Sequence, residues 1–194
     1  VSATSVTNTT LTVSLQWSAM QFADWYQVER ATRISLGDWQ PIGGHLTSTS
    51  TTDPFSASAN PVTYLYRVRA GVTSGGSDAT SNPSPFDYAT VATTLFSDEP
   101  LAAGATPIRG IHIGELRHAI DAVRIAAGLG AVFTYGPATG PVTASDNTTA
   151  RQRLDEARFS LFGTGHNWPY TGEVPASNGQ IWAIQLQQIR NGVR

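Results

Sequence analysis

Pro61-Val-Thr-Tyr64-Leu-Tyr-Arg-Val-Arg-Ala70 is the stretch on which the fold turns. Tyr64, Tyr66 and Val68 alternate with Leu65, Arg67 and Arg69, the period of two that a strand shows when one of its faces is buried. Two earlier runs carry the same period. Leu11, Val13, Leu15 and Trp17 alternate with Thr12, Ser14 and Gln16, and Trp25-Tyr-Gln-Val-Glu-Arg30 turns Tyr26 and Val28 inward. Turn-forming clusters separate the runs: Gly37-Asp38, Gly43-Gly44, Ser56 to Pro61, and Thr73 to Pro85. Short strands with frequent turns and no helical stretch predict an antiparallel β-sandwich over residues 1–95. Its structural core would hold Trp17, Tyr26, Val28, Tyr64, Tyr66 and Val68.

Beyond residue 95 the period changes and the chain repeats itself. Ile108-Arg-Gly-Ile-His-Ile-Gly-Glu-Leu-Arg-His-Ala-Ile-Asp-Ala-Val-Arg124 recurs from Val142 to Arg158, and its first part recurs from Ile181 to Val193. Each copy follows an aromatic lead-in: Phe96-Ser-Asp98, Phe133-Thr-Tyr135 and Trp168-Pro-Tyr170. The units run over about 96–132, 133–167 and 168–194. Ile113, Leu116, Ile120, Val123 and Ala127 fall at alternating spacings of three and four, one stripe on a helix. Asn147, Ala150, Leu154, Ala157 and Leu161 keep that register, as do Leu186, Ile189 and Val193. Helix starts are expected at His112 with Glu115, at Asp146, and at Gln185 with Gln188. Three such stripes bury themselves against one another or against the sandwich, so residues 96–194 form a compact three-helix domain and the whole chain an α+β multidomain protein. The third copy stops at Arg194, and its apolar end is expected to lie open to a neighbouring subunit.

Beside the stripe, Arg117, Asp121 and Arg124 recur as Arg151, Asp155 and Arg158, and the third copy keeps Arg190. A carboxylate four residues after one Arg and three before another reaches both on one helical face. This predicts a structural ion-pair network within each helix, with partner binding as the other use of these groups.

The first half resembles the fibronectin type III family, on Trp17 closing the second strand, the Tyr26-x-Val28-x-Arg30 strand, Pro61 to Ala70, and Ser81-Asn-Pro-Ser84. The resemblance implies that Tyr64 is the tyrosine-corner residue, its hydroxyl bonded back to the preceding loop, and that Trp17 is the core aromatic. The family serves mainly as spacer and binding scaffold, and no Arg-Gly-Asp tripeptide is present to imply integrin binding. The second half resembles repeats at the C-terminal ends of large secreted bacterial proteins, notably of Acidobacteria. That likeness implies an extracellular location and little chemistry.

Composition narrows the function further. The chain has 194 residues, 40% of them hydrophobic and only 13% charged, and its formal net charge is −2. No basic field is present to hold nucleic acid or an anionic membrane. Cysteine and lysine are both absent, which removes disulfides, thiolate metal sites and Schiff-base chemistry. No apolar run approaches the roughly 20 residues of a membrane span. His112 and His118 lie off the spacing that puts two metal ligands on one helical face, and Asp146-Asn-Thr-Thr-Ala lacks the glycine and alternating acids of a calcium loop. Adjacent carboxylates such as Asp98-Glu99 and Asp155-Glu156 point apart on a helix. No nucleophile meets a base, so no catalytic residue, metal or cofactor is expected. Trp25, Trp39, Trp168 and Tyr170 supply a sugar-stacking or partner-contact platform if exposed, and otherwise pack inside. Asn8-Thr-Thr and Asn147-Thr-Thr fit the glycosylation sequon.

These readings lead to a non-catalytic extracellular or cell-surface protein, structural or adhesive, whose partners are other protein chains. Copies of itself joined head to tail into a filament or surface layer are one form of this. The rival is a carbohydrate-binding accessory or attachment module of a larger secreted protein; a hydrolase is the least supported class.

Overall fold

The computed structural model describes residues 3–9, 11–34, 37–101, 107–133, 142–170 and 183–194, with side chains from residue 11 onward. Among the described residues the strands are β1 (Ala3–Thr9), β2 (Thr12–Trp17), β3 (Trp25–Ala31), β4 (Gln40–Leu46), β5 (Ser50–Pro54), β6 (Val62–Ser74), β7 (Ser77–Thr80) and β8 (Asp87–Val91). The helices are α1 (Gly110–Ala126), α2 (Ala144–Phe162) and α3 (Ala183–Gly192). One sheet has the order β1-β2-β5. The other has the order β4-β3-β6-β7, with β8 pairing the first half of β6, and every pairing is antiparallel.

Period two puts Val13, Leu15 and Trp17 of β2 against Tyr26 and Val28 of β3, Tyr66, Val68 and Ala70 of β6, and Ala89 and Val91 of β8. Tyr64 is half-buried at the rim of this core, its ring stacked on Phe55 with centroids 4.6 Å apart. Each large side chain fully buried here contributes about 1.5–3 kcal/mol. A polar latch crosses between the sheets: buried Asp53 of β5 accepts from the Tyr66 hydroxyl at 2.9 Å and from Arg30 at 2.7 Å. The tyrosine tied by its hydroxyl is therefore Tyr66, not Tyr64, and its acceptor is a carboxylate of the opposite sheet. Asp53 lies close enough to accept both donors, so the buried hydroxyl finds a charged acceptor there.

The outer face of the larger sheet is also used. Ala31, Leu65 and Tyr88 are register partners across β3, β6 and β8, and this row packs into the same core as the helices. Ile113, Leu116, Ile120 and Val123 of α1 meet Ala150, Leu154, Ala157 and Leu161 of α2, and Leu186, Ile189 and Val193 of α3, in the stripes read from the sequence. Phe96 and Leu101, which follow β8, are buried among them. Sandwich and helices share one continuous apolar contact.

Higher on that face Trp25 lies flat on Gly71, its ring stacked on His45 at 3.5 Å and its Nε1 donating to Thr73 Oγ1. A Cβ at position 71 would sit 2.2 Å from Trp25 Cζ2. Gly71→Ala is expected to cost about 1–3 kcal/mol, as overpacking does, read as a lower urea midpoint with an unchanged slope.

The helices begin earlier than expected. Thr143 is the N-cap of α2, and Asp146 is its third residue: Asp146 accepts from the Thr143 N–H at 2.8 Å, while Thr143 Oγ1 accepts from the Asp146 N–H. His112 holds the equivalent place in α1. Its Nδ1 accepts from the Arg109 N–H, which leaves Nε2–H to donate to Asp98 at 2.9 Å. That bond holds the Asp98 carboxyl below the usual carboxylate range. Both side chains reach back over the first turn, so the helix extends toward the N-terminus of the residue that caps it.

The ion pairs differ from the expected intrahelical network. Asp121 accepts from the N–H groups of Val132 and Phe133 at 2.9 and 3.2 Å, and Asp155 accepts from the N–H of Trp168 at 3.2 Å. The carboxylates thus hold the aromatic lead-in of the next repeat rather than bridging Arg117 to Arg124 or Arg151 to Arg158. Loop amides have no ladder partner, and their need for an acceptor outweighs a solvated i,i+4 pair of a few tenths of a kcal/mol.

The arginines lie over the same lead-ins. Arg117 lies over Phe133, Arg151 over Tyr170, and Arg190 over Phe96, at 5.5, 4.5 and 4.4 Å. Helix one holds lead-in two, helix two holds lead-in three, and helix three returns to lead-in one. Arg194 stands where the first two copies have Asp, and it pairs with Glu99 at 2.7 Å. Leu186, Ile189 and Val193 are fully buried. The expected open end is closed, because the final turn of α3 docks on β8, where the Tyr88 hydroxyl donates to the Gly192 carbonyl.

Candidate functional site

With the helices seated near Leu65, the far half of β6 is left free, and the turn between β2 and β3 crosses it. Three bonds fix that turn. The Met20 N–H donates to the Tyr26 hydroxyl at 2.8 Å, the Asp24 N–H donates to the Gly71 carbonyl at 2.8 Å, and Asp24 Oδ2 accepts from the Thr73 N–H at 2.8 Å. Between these anchors Phe22 adopts a left-handed backbone, with φ of 66°. A non-glycine residue pays roughly 1–2 kcal/mol for that conformation, yet its ring is 82% exposed.

Met20, Phe22, Val72 and Ala79 line a depression of about 270 Å³ beside the turn. Met20 and Val72 are themselves exposed. Strand β7 borders it with all four residues exposed. An apolar patch held rigid on a strained loop pays no ordering cost when it meets a partner surface. The neighbouring charges are Asp24 and Asp78, the latter 4.0 Å from His45.

The four aromatic residues read as a contact platform lie elsewhere and are engaged. Trp25 is buried under His45 and over Gly71. Trp39 packs on Phe86 and beneath Arg67, whose guanidinium is 4.2 Å from the ring. Trp168 packs over Gly192 and under Arg158. Tyr170 lies under Arg151 and donates to the Arg151 carbonyl at 3.4 Å. Burial drives the Tyr170 hydroxyl well above its ordinary pKa.

Arg124 bonds Glu156 at 2.5 Å and the carbonyls of Gly130 and Arg153. Arg158 donates to the His166 carbonyl and to the Tyr88 hydroxyl. These are tertiary clamps. Asn147 is no glycan acceptor in the folded chain: it lies inside α2 with no exposed surface, in a helical register that points it into the core. Asn8 lies in β1, where only the backbone is described.

A second concavity, about 960 Å³, opens between the C-terminal ends of α1 and α2. Gln152, Glu156, Ser160 and Asn167 line it around Phe159, which is 55% exposed. Phe159 falls off the apolar stripe of its helix, and that offset is the one sequence signal for this surface. For the β2–β3 turn the signal is weaker still: Met20, the one methionine, and Phe22 sit in a turn that shows no periodicity.

No protein-family model and no curated protein matches the chain. Among solved structures, the chain is similar to a β-1,2-glucanase from Parabacteroides distasonis (TM-score 0.38, 14% identity) over 63% of this chain but only 15% of the glucanase. It is similar to the fibronectin type-III domain of human fibronectin type III domain containing protein 3 (TM-score 0.36, 18% identity) over 50% of this chain and 89% of that domain. A Fn3-like protein from Clostridium thermocellum shows TM-score 0.29 and 34% identity over 38% of this chain and 72% of that one. The conclusion about the first half rests on the order and pairing of its own strands, by which Ala3 to Val91 form a fibronectin type III-like domain.

Proposed function

We propose that this chain is a non-catalytic extracellular module, structural or adhesive, that works by contact with other protein chains through the Met20–Ala23 turn and its depression. The observation that carries this reading is Phe22, a large apolar ring held outward in a costly backbone conformation by three hydrogen bonds. Copies of the same chain are the first partners to test. Phe22→Gly removes the ring and relieves the left-handed strain, so its thermal midpoint should rise while association falls. Sedimentation velocity at high protein concentration should show wild-type oligomers and a monomeric variant. Identical sedimentation of the two would sink self-assembly through this surface.

Polysaccharide binding has one observation in its favour, the exposed Phe159 ring amid amide and carboxylate groups. Retention on insoluble polysaccharide that disappears in Phe159→Ala, at unchanged stability, would support it. Trp39→Ala or Trp168→Ala is unsuitable as a probe, because either removes interior packing and changes stability first.

A further inference from the structure

Strand β7 ends its sheet. Among the described residues no strand pairs with its outer edge, and Ser77, Asp78, Ala79 and Thr80 are all exposed, so no part of the chain covers it. The turn that leads into β7 sets which of its backbone groups are free. Gly75 and Gly76 both adopt left-handed backbones, with φ of 60° and 80°, and form a two-residue hairpin turn whose flanking pair, Ser74 and Ser77, is hydrogen-bonded. Such pairs recur at every second residue. Val72 and Ala79 form the next one, and the Ser81 N–H donates to the Ala70 carbonyl at 2.8 Å in the one after. The N–H and C=O groups of Asp78 and Thr80 therefore point away from β6, out of the sheet edge.

The two faces of this edge differ. Ala79, with its register partner Val72, lines the depression beside Met20 and Phe22. Asp78 turns to the other face, where its Oδ1 accepts from Thr73 Oγ1 at 2.6 Å and its Oδ2 lies 4.0 Å from His45, beyond hydrogen-bond reach. Asp24 is a second exposed carboxylate here, while Arg69 is already held by Glu29 and the Ser81 carbonyl. The edge is thus apolar on one side and acidic on the other. A second β7 is a poor partner for it, because antiparallel pairing brings two Asp78 carboxylates onto one face.

We propose that β7 accepts an extended segment of another protein as an added antiparallel strand, its apolar residues directed into the depression and basic residues alternating with them beside Asp78. This rests on the reading that the Met20–Ala23 turn is the contact surface, and it supplies the form of the partner. Main-chain bonds to Asp78 and Thr80 give affinity, and the depression and the carboxylate select the side chains. In an antiparallel pair, the residue opposite Asp78 shares its face and bonds it through its own N–H and C=O. The basic residues of the partner, not the apolar ones, therefore carry the amides that bond the edge.

The test uses the full chain and a short synthetic peptide that alternates valine with arginine, with binding followed by nuclear magnetic resonance. Hydrogen exchange of the Asp78 and Thr80 amides should slow in the presence of the peptide. N-methylation of the arginine amides should abolish binding, and N-methylation of the valine amides should leave it intact. The protein is unaltered in that comparison. Asp78→Arg should weaken binding about tenfold or more and prefer a peptide with glutamate in place of arginine.

Equal binding of the two N-methylated peptides, or no binding at millimolar peptide, overturns the added strand. The contact surface fails on a different result: Phe22→Gly that binds the parent peptide and sediments as wild type does, whatever the N-methylated peptides show.

Discussion

Replacing Arg190 by alanine is expected to destabilise the chain by about 3–5 kcal/mol, the cost of breaking a buried charge pair. The residue has no exposed surface, and two different parts of the chain converge on it. Glu115 comes from the first turns of α1, Glu99 and the Asp98 carbonyl from lead-in one, and the Phe96 ring lies 4.4 Å from its guanidinium. Removing the cation takes its charge partner from Glu115, leaves Glu99 to Arg194 alone, and opens the closure of helix three on lead-in one. Burial works against the charge at this position and the carboxylates work for it, which is why the group is costly to leave half-made. Arg190→Lys should rescue little, because an ammonium has neither the planar face for Phe96 nor the fork for two acceptors. Arg117→Ala provides the internal comparison: its pair with Asp146 is partly solvated, and about 1 kcal/mol or less is expected. Chemical denaturation of the three variants measures the set. Equal, small losses for Arg190 and Arg117 would show that the closure carries no weight.

The second large effect is expected at Tyr88. Its ring is 1% exposed and stacks on Phe162, with centroids 6.0 Å apart. Its hydroxyl accepts from Arg158 at 2.8 Å and donates to the Gly192 carbonyl. One residue of the sandwich therefore touches both α2 and α3. Tyr88→Ala should cost about 3–5 kcal/mol, as truncation of a buried aromatic does, and it should also divide a single cooperative transition into two, one for each part. Tyr88→Phe keeps the packing but leaves the guanidinium and the carbonyl without their shared partner. A loss of about 1–3 kcal/mol with cooperativity retained is the expected result. Burial pushes this hydroxyl up to about 12, so it stays protonated, and keeps its donor role, across the neutral range. Coincident fluorescence and circular-dichroism transitions in Tyr88→Ala would mean that the sandwich and helices are coupled elsewhere.

Much of the architecture was legible beforehand, and what was missed has identifiable causes. Alternation placed Val13, Leu15, Trp17, Val28 and Val68 in the sandwich, because a strand with one dry face has no other way to arrange its side chains. In Tyr64-Leu65-Tyr66 the alternation fails, since both faces of β6 are covered. Leu65 then belongs to the helical core, and nothing local announces that. Tyr66 and Asp53 lie on different sheets, so their bond has no sequence spacing by which to be found.

The candidate surface was the least legible feature. Four aromatic residues stood out by type; Trp25 is buried, and Trp39, Trp168 and Tyr170 are half-buried against their neighbours, because ring size favours burial wherever a neighbour offers a matching face. Phe22 and Phe159 drew no notice, one in an aperiodic turn and the other off its stripe. An exposed apolar side chain is informative only once its surroundings are known.

By itself the sequence determined the strands β2, β3 and β6, the three helices, the registers of the three apolar stripes, and the equivalence of Arg117, Arg151 and Arg190, while β4 and β7 fall where it reads the turns Gly43-Gly44 and Thr73 to Pro85. These follow from periodicity, which is a property of one segment at a time. Only the tertiary structure decided where each charge goes. Asp121 and the arginine beside it fit an intrahelical pair as well as they fit a neighbouring loop. The choice fell to the loop, since its backbone amides have nowhere else to bond and that need exists only when the loop is in place.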